Sequence, residues 1–549
     1  LQGRVSPQYI PLNFGMAEKM VLKAVSQMFQ IDADVLLKRF QKTGDIGTIV
    51  QEIKADQPSL LTKELSVQQV FDALVDMAKS SGAGSQDKKL QQLAHLIAEL
   101  DPLSARYVSR IPVGALRLGF SDMTILDGLS WMILGDKTAK TQLQRAYLVR
   151  PDLGHIAYVV KHAGLDKVAE ITPEVFTPIL MMRAERLSSG EEIVDKIGEC
   201  AVESKYDGFR LQIHKKGKEV RMYTRGLEDA THMYPDVVEG VLKQIKADTI
   251  IFEGEAIGFD PASQTFLPFQ ETVQRKRKYG VEEKAKEMPL KLFAFELLYL
   301  NDASLLIEPY VLRQTELAKA IKVTGDVAID TLIPAGHTVV KDAKHLELLF
   351  DDAITKGLEG IIAKKLDGIY QPGARGWNWI KFKRSYSSKI DDTIDCVVMG
   401  YDVGKGKRAD FGIGAFLVGV YDATQDKYVT VAKIGTGLTD DEWRELQKRL
   451  HKLHSTHLPA MYEVDKMMTC DLWATPEIVV EIKADELTRS TIHTAGRVMK
   501  ASKSGSTFDV EEPGYALRFP RLQRFRDDKQ PQDATTLKEV QKMFKAQRS

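Results

Sequence analysis

Lys205 stands in the run Glu203-Ser204-Lys205-Tyr206-Asp207-Gly208-Phe209-Arg210, with turn-forming residues after it and charges of both signs around it. A lysine held this way can act as a nucleophile, provided that something rigid carries it. Phe209, Leu211 and Ile213 alternate with Arg210, Gln212 and His214, which predicts a half-buried strand. Lys215-Lys216-Gly217-Lys218 supplies a turn, and residues 220–224 return as a second strand ending at Arg225-Gly226. The hairpin is the platform.

Further along, residue types accumulate that suit the same chemistry. Residues 249–259 read as a strand with Glu253 and Glu255 on one face, a pair that suits a divalent metal or a ribose. In the apolar run 290–300, Phe295 and Glu296 point to opposite faces, so the ring could stack on a flat base. Glu359 opens the buried strand Glu359-Gly360-Ile361-Ile362-Ala363-Lys364. In residues 377–384, Ile380 and Phe382 face one way and Lys381 and Lys383 the other, with Arg375 upstream, which makes a phosphate-binding surface. Near the end, Arg526 and Lys529 follow a basic stretch whose Leu517, Phe519, Leu522 and Phe525 predict a packed segment. Each feature also has a structural reading: a solvated lysine, surface acids, a core phenylalanine, an edge strand guarded by lysines, a basic tail. Together they are the parts needed for attack on a nucleotide α-phosphate, where positioning and charge neutralisation dominate. The attacking lysine must be neutral, and a nearby metal and cations would bring it down from its ordinary value of about 10.4.

The elements that must hold these residues fall into three blocks. With 549 residues the chain exceeds one core and predicts three or four domains. Residues 15–164 are helical, with apolar spacing of three and four in 16–29, 67–79 and 90–100. Thr172-Pro173 and Thr177-Pro178 mark a linker, after which alternating strands run to about Tyr386. From about Lys389, strands at 397–401, 415–421, 428–434 and 478–482 are punctuated by glycines, as in a small curved barrel. The expected order is therefore residues 1–170 all-α, 171–388 α+β and 389–549 β-barrel.

Composition narrows the setting. There is no apolar run long enough to span a bilayer and no signal-peptide pattern, so an intracellular, membrane-free protein is expected. Cys200, Cys396 and Cys470 lie far apart without a CxxC pair, which excludes a zinc finger and a disulfide framework and predicts buried thiols. Lys+Arg and Asp+Glu both total 76, so any nucleic-acid surface must come from local clustering. The chain starts at Leu1 rather than Met, which reads as a missing beginning.

In this order the motifs resemble the ATP-dependent DNA ligases of the archaeal and eukaryotic replicative type, within the covalent nucleotidyltransferase superfamily. Lys205-Tyr206-Asp207-Gly208 with Arg210 matches the nucleophile motif, followed by Phe252-Glu253-Gly254-Glu255-Ala256, Phe293 to Leu300, Glu359 to Lys364, Trp379 to Lys383 and Arg526-Asp527-Asp528-Lys529. Leu116-Arg117-Leu118-Gly119 and the segments 10–24 and 146–157 resemble the family's helical DNA-binding domain. The resemblance implies a DNA-binding domain, an adenylation domain and an OB-fold. It implies an enzyme that seals nicks in duplex DNA in replication, repair and recombination, through a lysyl-AMP on Lys205 and a DNA-adenylate.

ATP and Mg²⁺ are the implied cofactors. Glu203 and Phe295 would hold adenine, Arg210, Arg225 and Glu255 ribose and phosphate, and Arg375, Lys381 and Lys383 the phosphate. Glu255 and Glu359 would lie at Mg²⁺, and Arg526 and Lys529 would orient pyrophosphate. The implied partner is nicked double-stranded DNA, with a sliding clamp left open, a monomeric state, and a location in cytoplasm and nucleoid or in the nucleus. Glu296 departs from a common Asp, and Ala363 from a bulkier residue. An RNA ligase, an mRNA-capping enzyme and an inactive DNA-binding clamp are the alternatives, the first two disfavoured by the long helical block and the last by the intact Lys205 motif.

Overall fold

Amphipathic spacing and local capping explain the helices that dominate the described residues from Glu18 to Ala169. Asp32, Asp45 and Asp101 accept hydrogen bonds from the first-turn amides of the helices that follow them, and Ser66 with Gln69 forms a capping box for Val67–Lys79. The helical series runs from Glu18–Phe29 to Leu153–Ala169, which Gly164 breaks at φ +81°. The computed structural model describes residues 2–547 apart from 58–61, 115, 120, 278, 357, 384–392, 405, 436–437 and 502–507. Leu1, Phe120, Arg384, Tyr386 and the expected boundary at 388/389 lie outside the described residues.

Packing divides the chain into two units. One comprises residues 1–5, 13–117 and 387–549, the other 6–12 and 118–386. The last three helices, Asp122–Leu134, Lys140–Val149 and Leu153–Ala169, thus belong with the strand-rich middle of the chain.

That middle contains two sheets. The first has the order β1–β12–β11–β2–β10, from β1 (Arg183–Arg186), β2 (Cys200–Lys205), β10 (His337–Val340), β11 (Gly360–Lys365) and β12 (Arg375–Lys383). The second has the order β4–β3–β5–β7–β8, from β3 (Phe209–Lys216), β4 (Glu219–Thr224), β5 (Thr249–Asp260), β7 (Leu290–Leu300) and β8 (Ala303–Ser304). Two short strands, β6 (Thr265–Phe266) and β9 (Leu332–Pro334), pair with β5 and β7. The first sheet packs Val202, Ile361, Ala363, Ile380 and Phe382 against the helices Gly190–Ile197 and Ala343–Thr355. The second packs Leu211, Ile213, Phe252 and Leu292 under the helix Pro235–Gln244.

One expectation changes here. β3 is not half-buried: Gln212 and His214 are fully enclosed, because the Phe176 and Ile179 backbone bonds onto that face. β12, for which a guarded edge strand was the structural alternative, is flanked by β1 and β11.

In the other unit, strands Ile394–Val403, Ile413–Asp422, Lys427–Ile434, Val479–Lys483 and Arg521–Phe525 form one curled sheet. Register shifts near Gly400 and Gly419 bend it, and its core of Phe416, Val431, Trp443 and Ile482 takes in Val540 and Phe544 of the last helix, Leu537–Ala546. Cys200, Cys396 and Cys470 are buried thiols, as expected.

Candidate active site

Pairing of β2 with β11 brings Lys205 opposite Gly360, and pairing of β11 with β12 brings Lys383 opposite the same glycine. Gly360 holds φ +144°, and a Cβ there would lie 2.2 Å from the Phe382 carbonyl oxygen. Only glycine lets the three strands close at this point. Next to it, Glu359 accepts from both Lys205 and Lys383, so one carboxylate ties the expected nucleophile to an expected phosphate-binding lysine.

These residues border a cleft of about 720 Å³, walled by strands of both sheets. Of the residues singled out from sequence, Lys205, Glu203, Arg210, Arg225, Glu255, Phe295, Arg375, Lys381 and Lys383 all line it. Glu359 reaches it through its bonds to Lys205 and Lys383. Arg526 and Lys529 belong to the other unit, where both bond to Asp395, at 3.0 and 2.6 Å.

Alternation on β12 works as the spacing implies. Ile380 and Phe382 enter the core while Lys381 and Lys383 face the cleft. Burial lowers the Lys381 pKa, and Lys205, Arg375, Arg186 and Arg225 lower it further. A wall that gathers cations closely enough to depress Lys381 is built for an anion.

The two carboxylates of β5 part company. Glu253 is wholly buried and satisfied by Arg210 at 2.5 Å, Gln212 at 3.0 Å and Tyr370 at 3.1 Å, so it braces the site rather than offering a ligand. Glu255 faces the cleft, where burial pushes its carboxyl up to about 7 against the opposing pull of Lys205 and Arg210. Arg210 also donates to the Met182 carbonyl and lies 5.2 Å from the rings of both Phe295 and Trp379. Its Nε is buried without a hydrogen-bond partner, a donor that a ligand could take.

Phe295 presents its ring to the cleft while Glu296 turns away into a bidentate pair with buried Arg313, at 2.8 and 2.9 Å. Glu203 is 4% exposed and receives Lys364 at 2.9 Å, together with Tyr310 and Gln314. Burial raises its pKa, and Lys364 and Tyr310 oppose the rise.

Lys364, Trp379 and Tyr310 escaped the residue-by-residue reading. Lys364 is 1% exposed and sits 5.0 Å from the Phe295 ring and 4.6 Å from that of Trp379. Its signal was present: a lysine two positions after Ile362 on a buried strand needs a partner. Tyr310 lies on a helix 107 positions from Glu203 and had no such signal.

Among the described residues no group of three or more His, Cys, Asp or Glu side chains could hold a metal by itself. Also among them, no helix is long and apolar enough to cross a membrane.

The middle of the chain, residues 181–383, matches the family described as ATP dependent DNA ligase domain. Residues 1–130 match the DNA ligase N terminus and 409–529 the ATP dependent DNA ligase C terminal region. A protein of Dictyoglomus turgidum named "Probable DNA ligase" is 44% identical over 549 residues, covering 100% of this chain and 90% of the relative. DNA ligase 2 of Thermofilum pendens is 40% identical over 562 residues, with the same coverage of each. Among solved structures, the Chlorella virus DNA ligase-adenylate covers 63% of this chain and 98% of its own, at 14% identity and a TM-score of 0.28. With family matches in the order of its cleft-bearing and flanking regions and relatives aligned along its whole length, the chain belongs to the ATP-dependent DNA ligases, enzymes that seal nicks in duplex DNA.

Proposed function

We propose that Lys205 attacks the α-phosphate of ATP, releases pyrophosphate and carries the AMP as a lysyl adduct. The AMP then passes to the 5′-phosphate of a nick, and the 3′-hydroxyl displaces it. The observation that supports this reading is the cleft itself, in which Lys205 faces Lys381, Arg225 and Arg375, with Phe295 also on the wall. Phe295 would stack on adenine and Glu203 would accept from it. Arg210, Arg225 and Glu255 would meet ribose and phosphate, and Arg375, Lys381 and Lys383 the phosphate oxygens.

Glu255 and Glu359 would hold Mg²⁺. Two carboxylates suit an ion that keeps its waters and completes its shell from substrate phosphates, and among the described residues no group of three or more His, Cys, Asp or Glu side chains offers a larger ligand set. The ion, when bound, neutralises charge on those phosphates. Glu359 would have to release Lys205 and Lys383, which frees the nucleophile where the phosphate arrives. Arg526 and Lys529 would come from the turn that follows the curled sheet's strand Arg521–Phe525, a sheet read as an OB-fold, to orient pyrophosphate in the first step.

In the same reading residues 1–170 form an all-α DNA-binding domain, whose last three helices pack with the middle of the chain, 171–388 the adenylation domain and 389–549 the OB-fold. The enzyme works as a monomer inside the cell, and a sliding clamp is its candidate partner. The test is covalent label transfer from α-labelled ATP with Mg²⁺. Wild-type chain should retain label and Lys205→Ala should retain none; label on the variant would remove Lys205 from its role.

A further inference from the structure

Glu203 faces the cleft with one oxygen already committed. Tyr310 Oη, Gln314 Nε2 at 3.3 Å and Lys364 Nζ at 2.9 Å all converge on Oε1. Among the described residues Oε2 receives no hydrogen bond, yet it is absent from the buried polar atoms left without a partner. It therefore keeps access to the cleft that Glu203 lines.

The clamp has an identifiable origin. Tyr310 and Gln314 are four residues apart on the helix Tyr310–Ala320 and so share a face. Both are buried, Tyr310 completely. Gln314 also donates to the Phe295 carbonyl at 2.5 Å, and Lys364 to the same oxygen at 2.9 Å. The strand that carries the ring and the carboxylate beside it are thereby tied to one helix.

We propose that Tyr310 and Gln314 are specificity-determining positioning residues, which lock Glu203 with Oε2 toward the base edge. The cleft then accepts a purine with a 6-amino donor and refuses one with a 6-oxo acceptor. An ionised carboxylate only accepts hydrogen bonds, so a 6-oxo group would leave two acceptors facing each other. Loss of the Tyr310 hydroxyl frees Oε1, lets the carboxylate turn, and favours a protonated form that could donate to a 6-oxo group. This inference rests on the reading of Glu203 and Phe295 as the base site.

The experiment measures the rate of lysyl-adduct formation by the full chain with labelled ATP, GTP and purine riboside triphosphate, which lacks any 6-substituent. In Tyr310→Phe, kcat/KM for ATP should fall about tenfold, the loss of roughly one hydrogen bond to a charged group. The rate with the purine analogue should hold, and the preference for ATP over GTP should narrow. Gln314→Met should move the same ratios less, because Tyr310 and Lys364 remain. An equal loss on ATP and the purine analogue would mean that Tyr310 only packs, and would overturn the proposal. If Glu203→Gln shifts the ATP-to-purine ratio while Tyr310→Phe does not, the clamp fails and the base site stands. If neither variant shifts it, the base-site reading itself fails.

Discussion

A row of side chains on one face of β3 decides what the cleft floor can do. His214 Nδ1 accepts from the Phe176 amide at 3.0 Å, so its Nε2 carries the proton and donates to Gln212 Oε1 at 3.0 Å. Gln212 donates to Glu253, and Glu253 pairs with Arg210 beneath Phe295. Burial drives the His214 pKa from 6.5 down to about 3. A histidine depressed on folding contributes stability above its unfolded value and loses it as pH falls through the window from about 6.5 to about 3. Acidification to pH 4 should therefore cost on the order of 3 kcal/mol from this group. Thermal melting across that range should show a shallower acid slope for His214→Gln, whose amide can keep both bonds. An unchanged slope would move the acid sensitivity elsewhere, with half-buried His493, also lowered, to about 4, as the next candidate. Alternation alone read Gln212 and His214 as the wet face of a half-buried strand. It cannot know that the 176–182 segment returns to cover them.

Among the elements, the three strands β2, β11 and β12 meet at Gly360, and their register sets the distance between Lys205 and Lys383. A side chain at 360 would strike the Phe382 backbone and push β12 away from β11. Gly360→Ala should cost about 2–4 kcal/mol, from the strained φ and the steric displacement together. Adduct formation should fall more than stability at permissive temperature, because Lys205 and Lys383 sit directly opposite the glycine. Wild-type melting temperature and label transfer in the variant would refute this geometry. The strands themselves were largely legible: residues 290–300 match β7, and the predicted 249–259 ends one residue short of β5. Pairing partners were not, since neighbours such as β2 and β11 lie some 155 positions apart and nothing local records that they meet.

At the scale of the whole molecule, equal totals of 76 basic and 76 acidic residues leave no net field to hold DNA. Binding must come from local clusters that displace counterions. Joining at limiting DNA should fall roughly tenfold or more between 50 and 200 mM salt, with a linear log–log dependence. A flat response would argue against extended backbone contact. The division into units bears on the order of steps. Arg526 and Lys529 lie in the turn after strand Arg521–Phe525 of the curled sheet, held by Asp395, while Lys205 lies in the other unit. Arg526→Ala should slow lysyl-adduct formation about a hundredfold, as loss of a charge-stabilising donor does, yet leave sealing of a pre-adenylated nick nearly intact. Equal slowing of both reactions would deny Arg526 a role confined to the first step.

Chemical identity was written locally, in Lys205-Tyr206-Asp207-Gly208, in the alternation of Lys381 and Lys383 and in the pairing of Phe295 with Glu296, because side-chain type and strand period need no partner to be read. What needed the folded chain was which acids remain available. Glu253 and Glu255 look equivalent along β5, yet Arg210, Gln212 and Tyr370 saturate one and leave the other facing the cleft. Tyr310 and Lys364 likewise gain meaning only beside Glu203. Hydrogen-bond saturation depends on donors brought from distant strands and helices, and no periodicity within one strand encodes them.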